Sequence, residues 1–469
     1  MGREHRCDNR ILRILHAIHD FLPRHRAGSE IYAFELCRAL AARHDVSVLC
    51  AEYDPSHANG HVTWKTYQGL PVIELINNWV CDSFRESYRP PIVNDRIAHV
   101  LRALRPDIVH VHNLLNLSFD LPDVAHRHGV PVVATLHDYA LVCPSGGQRF
   151  HRAEQHVCHV IETDRCVRCF RESPFYGQMS FGRVAAATRA PRVVRQAMVA
   201  MARAFRGVAS RAAAHAPLVP VSKADIEERL DRARRVFDAI DLFVAPSPSI
   251  AAEFQRLGMQ ASKVKVSDYG FVPLTMNGRT RSRTPLRIGY VGTLVWHKGV
   301  HVLIEAVQGL PREAYELKIF GDPEVFPDYT ARLRQAAADA PIQFMGAFDR
   351  DRTAEVYRQF DVLVVPSLWL ENSPLVIHEA FMAGVPVVGA NIGGIADLVT
   401  DGGSGLLYEP ASPPALRSAL NRLIGEHDLL SRLAMGLPKV KSMAQDATEW
   451  ERTYEEILGR RQAVAERQA

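Results

Sequence analysis

No apolar stretch in this sequence approaches the roughly 18 residues that a membrane-crossing helix needs. The first ten residues, MGREHRCDNR, are polar and lack the apolar core of a secretory leader. Both absences set the expectation of a cytoplasmic chain. Cysteine is scarce, with eight in 469 residues, too thinly spread for a disulfide-stapled scaffold. Charge of either sign is nearly balanced at a net +4, so composition gives no reason to expect a nucleic-acid partner. No G-x-G-x-x-G follows an expected strand, which disfavours a nicotinamide dehydrogenase. What is present is an ordinary composition, 47% hydrophobic and 23% charged, in a chain too long for one compact domain.

Short apolar runs alternate with longer amphipathic ones. ILRILHAI, DVSVLCAEY, PDIVHVHN and PVVATLH read as strands, and EIYAFELCRALAARH as a helix. Strands this uniformly apolar, separated by helices, imply a parallel sheet covered on both faces. The pattern breaks at Cys143 and resumes near Asp241, leaving an insertion over about 143–235. LTMNGRTRSRTP (274–285) is polar and basic and reads as a linker. After it LRIGYVG, ELKIFGD, IQFMGAF, DVLVVPS and PVVGAN restart the alternation. The expectation is two doubly wound, Rossmann-like α/β domains, 1–275 and 276–440, facing across a cleft. Ligands of such sheets bind beyond the carboxyl ends of the strands.

WLENSPLVIHEAFMAGVPVV (369–388) stands out because Glu371 and Glu379 lie among mostly apolar neighbours. Ser373 and Pro374 read as a helix start, with Ser373 as cap, and Gly384 as its stop. The free amides of the first turn, at Leu375 and Val376, make an anion site beside Glu371. One reading is that the two carboxylates are half-exposed surface charges. The other is that they accept hydrogen bonds from sugar hydroxyls on either side of a diphosphate.

Glu371-x7-Glu379, followed by Ala380, Gly384 and PVV, resembles the signature of bacterial retaining glycosyltransferases of family 4, which have the GT-B fold. RIGYVGTLVWHKGVHVLIEA (287–306) resembles their donor-diphosphate loop, and KIFGD, DVLVVPS and ANIGGIADLV follow in the family's order. AGSEIYAFELCRALA resembles the glycine-containing loop and helix after the first strand; DIVHVHN and VVATLHDY match too. The resemblance implies that Glu371 contacts the donor sugar and Glu379 the ribose. It implies that Lys298, before Gly299, binds the diphosphate, in a donor site with Gly292, Asn372, Ser373, Leu375 and Val376. Thr293 stands where the family usually has an arginine, with His297 a nearby substitute. Gly28 remains of a loop that often carries two glycines, Ala27 replacing the other. His137, at the end of PVVATL, matches a family histidine near the reacting sugar and is given a catalytic or positioning role; Asp138 orients it or is a plain loop acid. His110 and His112 share one strand face, which reads as packing before metal binding.

Cys143, Cys158, Cys166 and Cys169 fall within 27 residues and include one C-x2-C pair. They read either as a structural zinc site, with His151, His156 or His159 able to replace a thiolate, or as free reduced thiols. Residues 181–220 hold seven arginines and no acids, an amphipathic helix whose arginines either meet anionic membrane headgroups at the inner face or are solvated. The final helix, 441–469, carries Trp450, Tyr454, Ile457 and Leu458 on one stripe and is expected to return to the first domain, its last ten residues frayed.

These readings together set the expectation of a sugar transfer from a nucleoside-diphosphate sugar to a glycan or lipid-linked acceptor, in surface polysaccharide synthesis. No cofactor is required, since lysine and helix amides neutralise the leaving charge. A catalytically silent sugar-nucleotide-binding protein and a GT-B nucleotide-sugar epimerase are the alternatives.

Overall fold

The computed structural model describes residues 10–187, 219–276 and 285–468. Two sheets organise it. Across the first, the strands run Val264–Val266, Leu242–Ala245, Val132–Thr135, Ile108–Val111, Arg13–Ile18, Asp45–Glu52, Leu70–Ile76 and Val62–Tyr67. All pairings are parallel except the last, a hairpin of Val62–Tyr67 on Leu70–Ile76. Its turn places Gln68 and Gly69 at φ 47° and 87°, the left-handed pair that a two-residue hairpin loop demands. The second sheet is wholly parallel, in the order Ile342–Gly346, Tyr315–Phe320, Leu286–Val291, Val362–Val365, Val387–Ala390 and Gly405–Tyr408.

Alternation along each central strand sends side chains to opposite faces. Leu15 and Ala17 join the core on one side of the first sheet, Ile14 and Ile18 that on the other. The second domain has its own core around Ile288, Leu317, Leu363 and Val388. In both sheets the chain winds outward in two directions from a central pair of strands. The crevice beyond that pair is where doubly wound sheets bind ligands.

The insertion is smaller than the sequence pattern implies. The helix Lys223–Ala239, started by a capping box between Ser222 and Asp225, buries Ile226, Ala233, Val236 and Phe237 in the first domain's core. It is a crossover helix of the sheet; most of its charges face outward, but Arg229 and Arg232 are buried and donate to the carbonyls of Ala140, Leu141 and Phe119. The insertion proper begins with a small hairpin, Phe150–His151 on His156–Val157, followed by the helices Thr163–Arg171 and Pro174–Ala187. Most of the arginine-rich stretch 181–220 and most of the linker 274–285 lie outside the described residues. Among the described residues no helix is long and apolar enough to cross a membrane.

The last helix, Met443–Gln468, lies on the first domain. Trp450, Tyr454 and Ile457 are buried with Tyr32, Phe34 and Leu36 of the helix Gly28–Ala41. Trp450 Nε1 donates to Tyr32 Oη at 3.0 Å, and Tyr32 in turn donates to Asp446 at 2.8 Å. The expected fraying near residue 460 is not seen: the helix runs to Gln468, and Arg461 pairs with Asp241 at 3.2 Å.

Candidate active site

A cavity of about 610 Å³ lies between the two sheets' carboxyl ends. The first domain lines it with Gly28, Glu30, His137 and Tyr269, the second with Gly292, Thr293, His297, Lys298 and the loop Glu371–Val376, together with Glu379. The residues singled out for a donor site thus share one space.

Backbone constraints hold the loops there. Lys298 ends a short 3-10 turn, and Gly299 follows at φ 71°. A Cβ at Gly299 would stand 1.8 Å from Pro366 O, so only glycine lets the loop after Leu286–Val291 press against the loop after Val362–Val365. A second close approach, Gly394 on Asn372, would put a Cβ 1.6 Å from Asn372 O. The Gly394 amide donates to Glu371 O at 2.7 Å. Glu371 is therefore fixed from both sides.

Both glutamates are 6% exposed, so neither is a surface charge. Glu371 Oε1 accepts from Lys298 Nζ at 2.6 Å and from Ser367 Oγ at 2.7 Å. Glu379 Oε2 accepts from Tyr357 Oη at 2.9 Å, and Arg350 Nη1 stands 3.5 Å from its other oxygen. Burial raises the Glu379 pKa, and Arg350 and Tyr357 offset part of that rise.

Ser373 does not cap the following helix. That helix runs Leu375–Met382, with Pro374 in the cap position and no side-chain cap bond. The Ser373 hydroxyl is drawn across to the first domain, donating to Asp268 at 2.7 Å and lying 2.9 Å from His378 Nε2. Leu375 and Val376 form the first helical turn and line the cavity, where amides have no intrahelical acceptor. Asn372 Nδ2 donates to His137 O across the cleft, while its buried Oδ1 has no partner.

His137 belongs to a chain of rings. Its Nδ1 lies 2.8 Å from Tyr269 Oη and its Nε2 2.9 Å from His112 Nδ1; His112 Nε2 lies 2.9 Å from His16 Nδ1. Burial lowers the His137 pKa to about 3, so the ring is neutral. With both nitrogens engaged, it does not present a free donor to a sugar or a phosphate. Asp138 does not orient it: its oxygens accept from the Ala140 amide at 2.7 Å and Asn113 Nδ2 at 2.8 Å. Burial pushes Asp138 up to about 6. His110 is bonded to Tyr454 Oη and Thr135 Oγ1, each at 2.8 Å, within the core. His16, His110 and His112 lie close enough to share an ion, although only His16 Nε2 is without a partner among their nitrogens.

His297 is a poor substitute for the missing arginine at Thr293. It is 3% exposed, and burial, then Lys298 and Arg152, lower its pKa to about 3. It carries no charge. The guanidiniums of Arg152 and Arg350 line the same cavity, and neither was singled out in the sequence. Glu30 was also missed. It is 2% exposed beside His19 at 3.3 Å, with Oε2 unpartnered; its place in AGSEIYAF was the only signal.

The four cysteines line a separate small cavity in the insertion, which none of His151, His156 and His159 lines. His151 is instead bonded to Glu172 at 2.8 Å. Burial, reinforced by neighbouring thiols, raises the Cys158 pKa to about 11 and those of Cys166 and Cys169 to about 12.

Comparison with known proteins accounts for both sides of this cleft. Residues 276–436 match the model of "Glycosyl transferases group 1", and residues 26–173 that of "Glycosyltransferase Family 4". The D-inositol 3-phosphate glycosyltransferase of Corynebacterium glutamicum is 33% identical over 36% of this chain and 39% of its own length. The amylovoran biosynthesis glycosyltransferase AmsK of Erwinia amylovora is 28% identical over 46% of this chain and 56% of its own. The chain thus spans roughly two to three fifths of these relatives. Among solved structures, Anabaena HepE in complex with UDP and glucose superposes with a TM-score of 0.59 at 16% identity, over 95% of this chain and 99% of that one. Sucrose-phosphate synthase from Thermosynechococcus elongatus gives 0.63 at 16%, with the same coverage. These structures share the fold, GT-B. A family 4 match thus lies on one side of the cleft and a group 1 match on the other, on two sheets in the GT-B fold.

Proposed function

We propose that the chain moves a sugar from a nucleoside diphosphate onto a glycan or lipid-linked acceptor with retention of anomeric configuration. One observation carries the reading: Glu371, Lys298 and Glu379 face the same cavity as Gly28 and His137 of the other domain. A cavity of about 610 Å³ has room for a nucleotide sugar.

In this reading the diphosphate sits between Lys298 and the Leu375–Val376 amides, with Arg350 and Arg152 at its edge. Glu379 accepts from the ribose hydroxyls. Glu371, held by Lys298 and Ser367, accepts from the transferred sugar. The bond from the anomeric carbon to the diphosphate oxygen breaks, and the acceptor hydroxyl bonds to that carbon on the same face. Its proton passes to the departing diphosphate oxygen, whose developing charge the lysine and amides stabilise. His137, neutral and tied at both nitrogens, shapes the wall of the cavity and receives Asn372 on its carbonyl. Its role is positioning.

The relative named for amylovoran biosynthesis supports an acceptor on the route to a surface polysaccharide, and the work would be done at the cytoplasmic face of the membrane. Hydrolysis and transfer measured across a panel of nucleotide sugars tests the reading. Turnover of one donor is expected, with the product's anomeric configuration retained by NMR. Tight binding of a nucleotide sugar with no turnover would replace it with a silent binding protein, and an inverted product would remove the retaining mechanism.

A further inference from the structure

The insertion hairpin poses a physical problem. Its strands, Phe150–His151 and His156–Val157, are two residues each, far below what a hairpin needs to be stable alone. Residues 152–155 at its tip are exposed. Yet it has a defined place in the cleft: Phe150 stacks on Trp296 with ring centroids 4.9 Å apart, and Arg152 lies over the Phe326 ring at 5.2 Å. Trp296 is in the turn that carries Lys298.

Behind the hairpin, four thiols from three separate backbone segments line one cavity of about 30 Å³. Cys143 ends the turn after Tyr139, its amide donating to Tyr139 O at 2.8 Å. Cys158 directly follows the second hairpin strand, its amide donating to Arg149 O at 2.8 Å. Cys166 and Cys169 lie one turn apart on the helix Thr163–Arg171. None of the four is in a disulfide. Arg149 and Arg165 act electrostatically on Cys158, and the buried Arg229 on Cys143 and Cys166, cations suited to a group of thiolates.

We propose that Cys143, Cys158, Cys166 and Cys169 hold one zinc ion, which ties the hairpin to its neighbouring helix and so sets where Phe150 meets the loop of Lys298 and where Arg152 meets Phe326. Four sulfur ligands and a cavity of single-ion size suit tetrahedral zinc over a multi-atom cluster. No three of these sulfurs lie within 4.8 Å of one another. Zinc draws them inward, since four thiolates at about 2.3 Å from the metal stand about 3.8 Å apart. Each bound thiol releases its proton to solvent, and the nearby arginines offset the resulting negative charge. The metal site stands independently of the donor reading, because it rests only on the insertion.

The test is elemental analysis of the full chain purified without chelators. About one zinc per chain is expected, released by a chelating dye together with the appearance of reactive thiols. Cys166→Ser with Cys169→Ser should lose the metal while far-UV circular dichroism keeps the α/β signature. If that variant does not fold, the single Cys158→Ser should hold zinc at least tenfold more weakly. Iron with acid-labile sulfide would overturn the assignment. So would a metal-free chain whose four thiols react freely in the native state, or zinc that persists undiminished in the Cys158→Ser chain.

Discussion

Lys298 and Glu371 face one another at 2.6 Å on the floor of the cleft, each the other's nearest opposite charge. The pair is half of a site. Under the proposed function, a bound diphosphate would compete with Glu371 for the lysine, and a sugar hydroxyl would compete with the lysine for the carboxylate. Donor entry would then exchange one ion pair for two new contacts.

Lys298→Ala should cost about 2–4 kcal/mol of transition-state stabilisation, because charge builds on the leaving diphosphate. It should also weaken binding of the free nucleoside diphosphate, read by calorimetry. Wild-type affinity and rate together would move the phosphate site to Arg350 and Arg152.

Glu379→Gln should raise the donor KM while kcat stays within a factor of about three. Ribose contacts are made equally in the ground and transition states. The amide keeps the bond from Tyr357 Oη but gives up the charge that faces Arg350. A kcat loss with KM unchanged would contradict the ribose assignment.

Acid should unfold the first domain before it disables the chemistry. Burial lowers His16 and His137 to about 3 and holds His110 and His112 well below 6.5. A depressed histidine is neutral in the fold and protonated when unfolded. Its stability contribution is complete above about 6.5 and lost as pH falls towards 3, at about 1.4 kcal/mol per unit for each ring. Asp138, raised to about 6, has the opposite sign: its ionised form is disfavoured in the fold, so it costs stability as pH rises from 3.8 through 6. Urea titrations at pH 7.5, 6.0 and 5.0 should show stability falling towards acid. His110→Gln should make that fall shallower by about one proton. An unchanged slope would mean that the ring is protonated in the native state.

Deleting the chain from Trp450 onward should abolish transfer and lower stability by several kcal/mol, since it exposes Tyr32 and Phe34 and removes the buried apolar side chains Trp450, Tyr454 and Ile457. Deleting only 462–469 spares Arg461 and its pairing with Asp241 and should leave activity intact. A fully active product of the longer deletion would show that the helix does not support the cleft.

The doubly wound architecture was legible because buried parallel strands leave uninterrupted apolar runs such as DVLVVPS and PDIVHVHN. The hairpin Val62–Tyr67 to Leu70–Ile76 was not, because an exposed edge strand such as VTWKTY carries no such run. Most cleft residues of the second domain were legible through two motifs, 287–306 and 369–388. Tyr269, Arg152 and Arg350 were not, since each reaches the cavity from a loop or short turn whose path only the fold defines. Ser373 misled for a related reason. A serine before a helix normally caps it, but here Asp268, 105 positions away in sequence, offers its hydroxyl a charged partner.

The strand-like contact at Phe271 has a mechanical consequence. Its amide donates to Lys441 O at 2.9 Å and its carbonyl accepts from Met443 N at 2.8 Å. Phe271 lies where the chain leaves the first domain, and Lys441 to Met443 where it comes back. The chain beside each of the two passages between the lobes is thus zipped to the other at Phe271. Two tethers joined at a single pivot resist shear and twist but permit rotation about that pivot. A jaw-like rotation about that pivot would part the bond from Asn372 Nδ2 to His137 O that spans the cleft.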